Sequence, residues 1–210
     1  MKNLKDIIIE RLHITKQTGL QTYKYFPKTR EELREILKER LAKDKDVDLN
    51  DINVSEITNM GADTHNIGLF EELDPHDIDI SNWDVSNVED MSCMFWTCPN
   101  LNCDLSKWDV SNVKKMNSMF FHCEDFNSDL SHWNVSNVTD MSYMFDNCKN
   151  FNCDLSNWDV SSVEKMYSMF SKCENFNCDL SSWNVSKVSN MVDMFYRCSN
   201  LKNKPSWYKY

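Results

Sequence analysis

Cysteine is the residue type in this sequence best suited to chemistry, because thiolates coordinate zinc and act as nucleophiles. The chain has nine cysteines, and eight of them fall on two positions of a 25-residue period. The first set is Cys98, Cys123, Cys148, Cys173 and Cys198, and the second is Cys103, Cys153 and Cys178. No CxxC motif or paired Cys/His spacing accompanies them, so we interpret both sets as small buried side chains and predict no metal and no cofactor. Cys93 lies outside both sets and is a candidate for exposure.

The histidines and glycines form no catalytic motif in the sequence. The five histidines are His13, His65, His76, His122 and His132, and none belongs to a nucleophile, zinc or phosphate motif. The three glycines are not arranged in a phosphate-binding pattern. We therefore predict that the protein is not an enzyme.

Aspartates that recur at one repeat position are candidates for binding a cation or a basic partner. They are Asp104, Asp129, Asp154 and Asp179, each preceded two residues earlier by an asparagine. Like charges about one strand spacing apart repel each other, and a bound cation or a basic partner would relieve that repulsion. Solvation or local turn hydrogen bonds would also stabilise these carboxylates, and no calcium-loop motif is present. We name the four aspartates as candidate partner-binding residues.

A 25-residue repeat must position all of these side chains. Tryptophan recurs at Trp83, Trp108, Trp133, Trp158 and Trp183, and most residues between these positions recur with it. A unit this short cannot enclose its own core, so it must bury its apolar face against the next copy. Five copies are plain, and a decayed sixth copy begins at Ile52, 31 residues before the next. We predict that each tryptophan is buried together with the two valines that follow it.

The spacing of apolar residues predicts a helix and a short strand in each copy. In the central copy, five apolar residues from Val138 to Cys148 fall three, three, one and three residues apart, as on one face of a helix. Phe151, Cys153 and Leu155 then alternate with polar residues, as in a strand with one buried face. We therefore predict an α/β repeat solenoid with leucine-rich-repeat geometry, in which the strands of successive copies pair in parallel.

The copies share the motif Met-Phe-x-x-Cys-x-x-Phe-Asn-x-Asp-Leu-Ser-x-Trp-Asp-Val-Ser-x-Val across residues 52–203. This motif resembles the repeat of the BspA-like leucine-rich-repeat family of bacterial surface proteins. The resemblance implies a leucine-rich-repeat solenoid of a kind that is often attached to bacterial surfaces and is also encoded in prophages. It implies no general enzymatic activity.

The two ends of the array need separate elements, because a stacked array exposes its core at each terminus. We predict a small helical N-terminal cap over residues 1–50, the solenoid over residues 51–203, and a C-terminal cap or tail over residues 204–210. A capping box begins at Thr29, and the helix after it would bury Leu33, Ile36, Leu37 and Leu41. An earlier helix is indicated by Leu4, Ile7, Ile8 and Leu12.

The charge distribution limits the partners that the chain can bind. The net charge is −10, and residues 51–210 carry 11 Lys and Arg against 24 Asp and Glu. This excess disfavours nucleic acid and anionic membranes and favours a protein partner with a basic surface. No apolar span suits a membrane, and the first residues lack the long apolar run of a signal peptide. We expect a cytoplasmic protein with reduced thiols, with the cell surface as the alternative.

Aromatic residues that escape the repeat pattern are further candidate partner-binding residues. They are Trp96, Phe121, Tyr143, Tyr167 and Tyr196. Trp96 and Phe121 share one repeat position, and later copies carry Asp146 or Ser171 there. Large aromatic side chains at a position that tolerates Asp and Ser are candidate interface anchors. Partial burial under neighbouring helices is the alternative interpretation.

These features predict a non-enzymatic protein-binding module that acts inside the cell, with a prophage as a candidate source. One alternative is a bacterial surface or secreted adhesin, as in the family that the repeat resembles. A second alternative is an acidic decoy that occupies the basic surface of a nucleic-acid-binding protein.

Overall fold

A computed structural model describes residues 16–18 and 21–209. Its regular elements are two strands, β1 (Lys16–Thr18) and β2 (Gln21–Tyr23), and one helix, α1 (Arg30–Leu41). The strands pair antiparallel, with Lys16 opposite Tyr23. The other described residues form turns and irregular backbone, which stack coil upon coil. The earlier predicted helix, from Leu4 to Leu12, lies outside the described residues.

The helix predicted from Thr29 is present as α1. The Thr29 hydroxyl accepts a hydrogen bond of 3.2 Å from the backbone N–H of Glu32, which satisfies one of the free donors of the first turn. Leu33, Leu37 and Leu41 lie on one face and are fully or almost fully buried. This apolar face holds α1 against the first coil of the stack. The division into residues 1–50, 51–203 and 204–210 stays a prediction.

Each repeat forms one coil, and alternate backbone N–H groups join it to the next coil. The N–H groups of Met141, Tyr143, Phe145 and Asn147 donate to carbonyl groups 24 residues further along the chain. The intervening N–H groups, such as those of Met144 and Cys148, close turns to the carbonyl three residues earlier. Every second N–H group therefore stabilises the stack rather than the coil.

The predicted α/β solenoid of leucine-rich-repeat type with a helical cap is wrong. In the described part of the chain, α1 is the one helix, and the repeats contain neither helix nor regular strand. Two residues of each regular coil, Tyr143 and Asn147 in the central one, have left-handed φ values of 58° and 62°. A left-handed residue ends a right-handed helix, so the segment from Val138 to Cys148 forms successive turns instead. These turns bury the apolar residues whose spacing predicted a helix.

The predicted strands are also absent, although the inward and outward sides were assigned correctly. Phe151, Cys153 and Leu155 are buried, whereas Asn152 and Asp154 are exposed. In this segment, side chains bond one coil to the next in place of the backbone ladder of a parallel sheet. The Asn152 N–H, for example, donates to the side-chain oxygen of Asn127. In the described part of the chain, the strand-like pairing between coils consists of isolated parallel bridges, such as Lys115 with Asp140.

The core consists of parallel rows of identical side chains. The five repeat tryptophans are 3–5% exposed, as predicted. The rings of Trp83 and Trp108 lie 6.4 Å apart, and Trp158 lies 6.5 Å from both Trp133 and Trp183. The valines that follow the first four tryptophans are buried, whereas Val185 and Val188 in the last coil are partly buried. Trp207 continues the row, with its ring 6.4 Å from that of Trp183. The C-terminal segment thus covers the tryptophan row.

Candidate functional site

The turns of each coil determine which side chains reach the surface. In the central coil, a turn from Met141 to Met144 places left-handed Tyr143 at its third position, and the next turn places Asn147 likewise. Such turns suit residues that tolerate positive φ, and residues at their corners point away from the core. The predicted aromatic candidates Trp96, Phe121, Tyr143 and Tyr167 all occupy these turn corners rather than the predicted helix faces.

Four of the five aromatic candidates come together in one row, which we call the aromatic strip: Trp96, Phe121, Tyr143 and Tyr167. The rings of Trp96 and Phe121 stack with their centroids 4.1 Å apart. Phe121 meets Tyr143 edge to face at 6.2 Å, and Tyr143 meets Tyr167 at 4.9 Å. Burial and a hydrogen bond to Tyr167 raise the pKa of the Tyr143 hydroxyl. All four side chains are partly exposed. Each ring is therefore partly buried, as one interpretation of the sequence predicted, and also presents a surface that a partner can contact, as the other requires.

A polar cluster lies beside the strip, at the repeat position where Asp146 replaces an aromatic ring. Asp146 is 6% exposed, and its carboxylate lies 3.6 Å from the Lys172 ammonium group. Burial raises the pKa of Asp146 and lowers the pKa of the neighbouring His122. The His122 ring stacks on Phe121 with centroids 4.3 Å apart. The strip therefore has a charged and titratable margin.

Tyr196, the fifth aromatic candidate, lies apart from the strip in the last coil. Its side chain is 48% exposed, and the Arg197 guanidinium lies over its ring at 5.3 Å. Val192 in the same coil is 39% exposed. Among the described residues, these two are the exposed large apolar side chains.

The four candidate aspartates are in register on one side of the stack, where they close turns. Each accepts the N–H of the serine two residues further on, as Asp154 does from Ser156 at 3.0 Å. These bonds from serine lower the pKa of Asp104, Asp129, Asp154 and Asp179. A shallow groove of about 800 Å³ runs between the last two of these turns and includes Asn152 and Asn177. Local turn bonds, the alternative raised from the sequence, are thus present.

Cysteines of the first set donate buried hydrogen bonds from one coil to the coil before it. The Cys148 thiol donates to the Phe120 carbonyl at 3.0 Å, and Cys123 and Cys173 repeat the contact one coil away. Burial raises the pKa of Cys148 well above its usual value, which keeps the thiol protonated. In residues 16–18 and 21–209, no three His, Cys, Asp or Glu side chains are grouped as a metal site. The expectation that Cys93 is exposed is wrong, because it is 7% exposed.

A row of alternating charges on the outer surface was not predicted from the sequence. Asp90, Lys115, Asp140 and Lys165 occupy one repeat position in successive coils. Lys115 pairs with Asp90 at 3.2 Å, and Lys165 pairs with Asp140 at 3.3 Å. Comparing the charge at each repeat position from copy to copy would have found this pattern.

Two buried arginines on α1 were also not predicted from the sequence. Arg34 donates to the carbonyl groups of Gly68 and Leu69 at 2.7 and 2.6 Å. Arg30 donates to the carbonyl groups of Gly61 and Ile67. These carbonyls lie at the first end of the stack, where, among the described residues, the side chains of Arg30 and Arg34 take the place of the N–H groups of a preceding coil. The signal in the sequence was an arginine pair placed four residues apart beside the apolar face of α1.

The comparisons with known proteins identify a family. Three overlapping segments, residues 31–139, 64–159 and 122–209, match the family described as "Mycoplasma protein of unknown function, DUF285". The chain belongs to this family. Overlapping matches to one DUF285 model agree with the repeated structure of the chain. No curated protein and no solved structure matches it. In the part of the chain that the structure describes, no helix has the length and apolar character needed to cross a membrane.

Proposed function

We propose that this DUF285 protein is a non-enzymatic protein-binding module whose recognition surface is the aromatic strip. The observation that supports this proposal is the continuous contact of four partly exposed rings, from Trp96 to Tyr167, across successive coils. Interfaces draw much of their binding energy from a few such aromatic side chains surrounded by polar groups.

The strip is not required by the packing of the coils. The core already holds its own rows of tryptophan and phenylalanine, and these rows are buried in every regular coil. At the repeat position of Trp96 and Phe121, another coil accommodates Ser171. Since the scaffold accepts a small polar residue there, the aromatic rings are available for another role.

The partner that we propose is a protein with a basic surface. The chain carries a net charge of −10, and Glu124 and Asp146 lie close to His122 at the margin of the strip. Opposite charges around an apolar centre accelerate association and orient the partner, while the desolvated rings supply affinity. Binding should therefore weaken moderately with salt but persist through the aromatic contacts.

The test compares variants of the full chain in capture from native lysate, followed by affinity measurement with each purified captured protein. Trp96→Ser combined with Phe121→Ser should lower affinity at least about 30-fold, since the loss of even one anchor costs on the order of 2 kcal/mol or more. Tyr196→Ser is the matched control, because it removes an exposed ring outside the strip. A partner bound equally by all three proteins would place the interface elsewhere and overturn the proposal.

The narrower relations raised by the sequence remain hypotheses beside this one. They are a relationship to BspA-like proteins, a prophage source, action inside the cell, an adhesin role at the cell surface, and an acidic decoy role. Fractionation of native cells separates the two locations. Loss of binding at high salt together with insensitivity to the Trp96 and Phe121 substitutions would favour the decoy.

A further inference from the structure

His122 lies at the margin of the aromatic strip, in contact with one of its rings and close to a buried carboxylate. Its ring stacks on that of Phe121, with the centroids 4.3 Å apart and the planes inclined by 29°. Its backbone N–H donates to the Asp146 carbonyl at 2.8 Å, which brings the two residues together across neighbouring coils. The His122 side chain therefore has two neighbours of opposite character, an aromatic face and a carboxylate.

Asp146 has a buried acceptor atom that the fold leaves without a donor. The residue is 6% exposed, and no described group donates a hydrogen bond to its Oδ1 atom. The Lys172 ammonium lies 3.6 Å from this atom, which is longer than a hydrogen bond between charged groups. A buried oxygen without a donor is costly, so this position favours the approach of another donor. The titratable groups around Asp146 are Lys172, His122, Tyr143 and the thiols of Cys148, Cys173 and Cys198.

The other carboxylate beside His122 already has donors for both of its oxygens. Glu124 accepts from the Lys149 ammonium at 2.6 Å and from the Asn147 side chain at 3.0 Å, through different oxygen atoms. A charged His122 would therefore find its free acceptor in Asp146 rather than in Glu124. The titratable and charged groups that face His122 are Glu124 in its own coil, Asp146 and Lys149 in the next coil, and Lys172 in the coil after that.

We propose that His122 is a pH-sensitive switch at the margin of the aromatic strip. At neutral pH its uncharged ring covers part of Phe121. In mild acid the ring takes up a proton from water, turns away from Phe121 and donates a hydrogen bond to Oδ1 of Asp146. Such a movement is a rotamer change of a partly exposed side chain, which leaves the backbone bonds between the coils intact.

Protonation and movement of the ring support each other. Burial lowers the pKa of His122 below its ordinary value, because the charged form is poorly solvated. The Asp146 carboxylate favours the charged form, so the ring gains most from protonation when it lies against that carboxylate. Burial raises the pKa of Asp146, but the Lys172 charge opposes this effect and favours an ionised acceptor.

The charged ring has an alternative position on the face of Phe121, because aromatic faces attract cations. That position leaves Oδ1 of Asp146 without a donor. A hydrogen bond between an imidazolium and a carboxylate is stronger than an ordinary one and also satisfies the buried oxygen. We therefore expect the ring to leave Phe121 when it becomes charged.

The switch makes partner binding depend on pH, a consequence that rests on the function proposed above. At neutral pH two carboxylates at this margin are paired with two ammonium groups: Glu124 with Lys149, and Asp146 with Lys172. Protonation of His122 adds one positive charge. A partner with a basic surface is then repelled, so its affinity should fall as the pH falls through the His122 midpoint. By linkage, the bound partner should lower the pKa of His122.

The test follows the His122 ring by nuclear magnetic resonance on the full chain, between about pH 8 and about pH 4.5. The variant His122→Gln identifies the ring signals by their loss. We expect nuclear Overhauser effects between the His122 and Phe121 ring protons at the upper pH, and their loss below the titration midpoint. Asp146→Asn removes the acceptor charge and keeps the size of the side chain. It should lower the midpoint by at least about 0.5 pH unit and keep the ring on Phe121 at every pH.

Lys172→Met is a second variant, which removes a charge that disfavours protonated His122 and competes for Oδ1 of Asp146. It should raise the midpoint, and the contacts with Phe121 should still be lost in acid. Contacts that persist below the midpoint in the wild type would overturn the proposal, as would a midpoint that Asp146→Asn leaves unchanged. None of these measurements requires a partner. Failure of the switch and failure of the aromatic strip to bind a partner are therefore separate results.

Discussion

The indole N–H of Trp133 donates a hydrogen bond of 3.0 Å to the carbonyl oxygen of Leu105, 28 residues earlier in the preceding coil. Trp108, Trp158 and Trp183 make the same contact with their own preceding coils. Each tryptophan thus joins two coils through a polar bond as well as through packing. The Leu105 carbonyl also accepts from the Trp108 backbone, so losing the indole leaves it one bond.

We expect Trp133→Ala to lower the free energy of unfolding by about 3–5 kcal/mol, because it leaves a large cavity in the row. Trp133→Phe should cost less, since it keeps most of the apolar contact and loses a hydrogen bond worth about 1 kcal/mol. Urea denaturation followed by circular dichroism measures both values. A loss below about 1 kcal/mol for the alanine variant would contradict the described burial.

Arg34 should be among the residues most important for stability at the first end of the stack. Arg34→Met keeps the aliphatic stem but leaves the carbonyls of Gly68, Leu69 and Glu71 without this donor. Each unsatisfied buried acceptor costs about 1–3 kcal/mol, so we expect a loss of at least about 2 kcal/mol. Arg34→Lys is the control and should recover part of it. Equal stability of the wild type and the methionine variant would contradict the prediction.

Thr97 is an exposed β-branched residue with a left-handed φ of 53°. β-Branched side chains are strained in this region, whereas asparagine tolerates it and already occupies the equivalent position as Asn147. We expect Thr97→Asn to raise the free energy of unfolding by about 0.5–1 kcal/mol. Thermal denaturation measures the change, with Thr97→Val, which keeps the branch, as a control that should give no gain.

The four aspartates Asp104, Asp129, Asp154 and Asp179 should contribute to acid unfolding. Their pKa values are lowered by bonds from serine, so the folded protein binds protons less readily than the unfolded chain. The stability they add is present above the unfolded pKa near about 4 and is lost as pH falls through the folded pKa.

Replacing all four aspartates with asparagine should shift the acid-unfolding midpoint to lower pH, with little change near neutrality. Asparagine provides the same acceptor without titrating, as Asn134 does for the Ser136 N–H at 3.2 Å. Fluorescence recorded from pH 7 to pH 2 tests this. An unchanged midpoint would show that other groups control acid unfolding.

Buried thiols should react slowly with thiol reagents in the folded protein. Burial raises the pKa of Cys178, the half-exposed member of its set, to about 11. At pH 8 its thiolate fraction should be about two orders of magnitude below that of an unperturbed cysteine. Stopped-flow labelling with and without urea measures the ratio. Rapid labelling of the folded chain would contradict the low reactivity expected from this burial.

The 25-residue period predicted the repeat and its buried tryptophans, because burial fixes the residue type at each repeat position. The capping box at Thr29 and the apolar spacing after it predicted α1. The period did not identify the path of the backbone between Val138 and Cys148. Apolar spacings of three and four residues fit a helix and also fit successive turns. The difference lies in left-handed φ at Tyr143 and Asn147. Neither position carries glycine, the residue that most often marks such a conformation in a sequence.

The candidate site was predicted in part. The sequence singled out the four rings of the aromatic strip by their departure from the repeat, but not their mutual contacts. Trp96 and Phe121 stack from equivalent positions of successive coils. Phe121 and Tyr143 instead meet from different turn corners, as do Tyr143 and Tyr167. A comparison of equivalent positions cannot reveal such diagonal neighbours. The buried arginines Arg30 and Arg34 were missed because their acceptors are backbone carbonyls, which the spacing of the arginine pair does not reveal.

The alternating row of Asp90, Lys115, Asp140 and Lys165 has a consequence for how such an array can lengthen by gene duplication. Inserting one coil into this part of the array would place two acidic or two basic residues next to each other, whereas inserting two coils would preserve the alternation. Like charges at paired positions destabilise neighbouring backbone segments. Growth in steps of 50 residues is therefore favoured over growth in steps of 25 residues, the length of one copy.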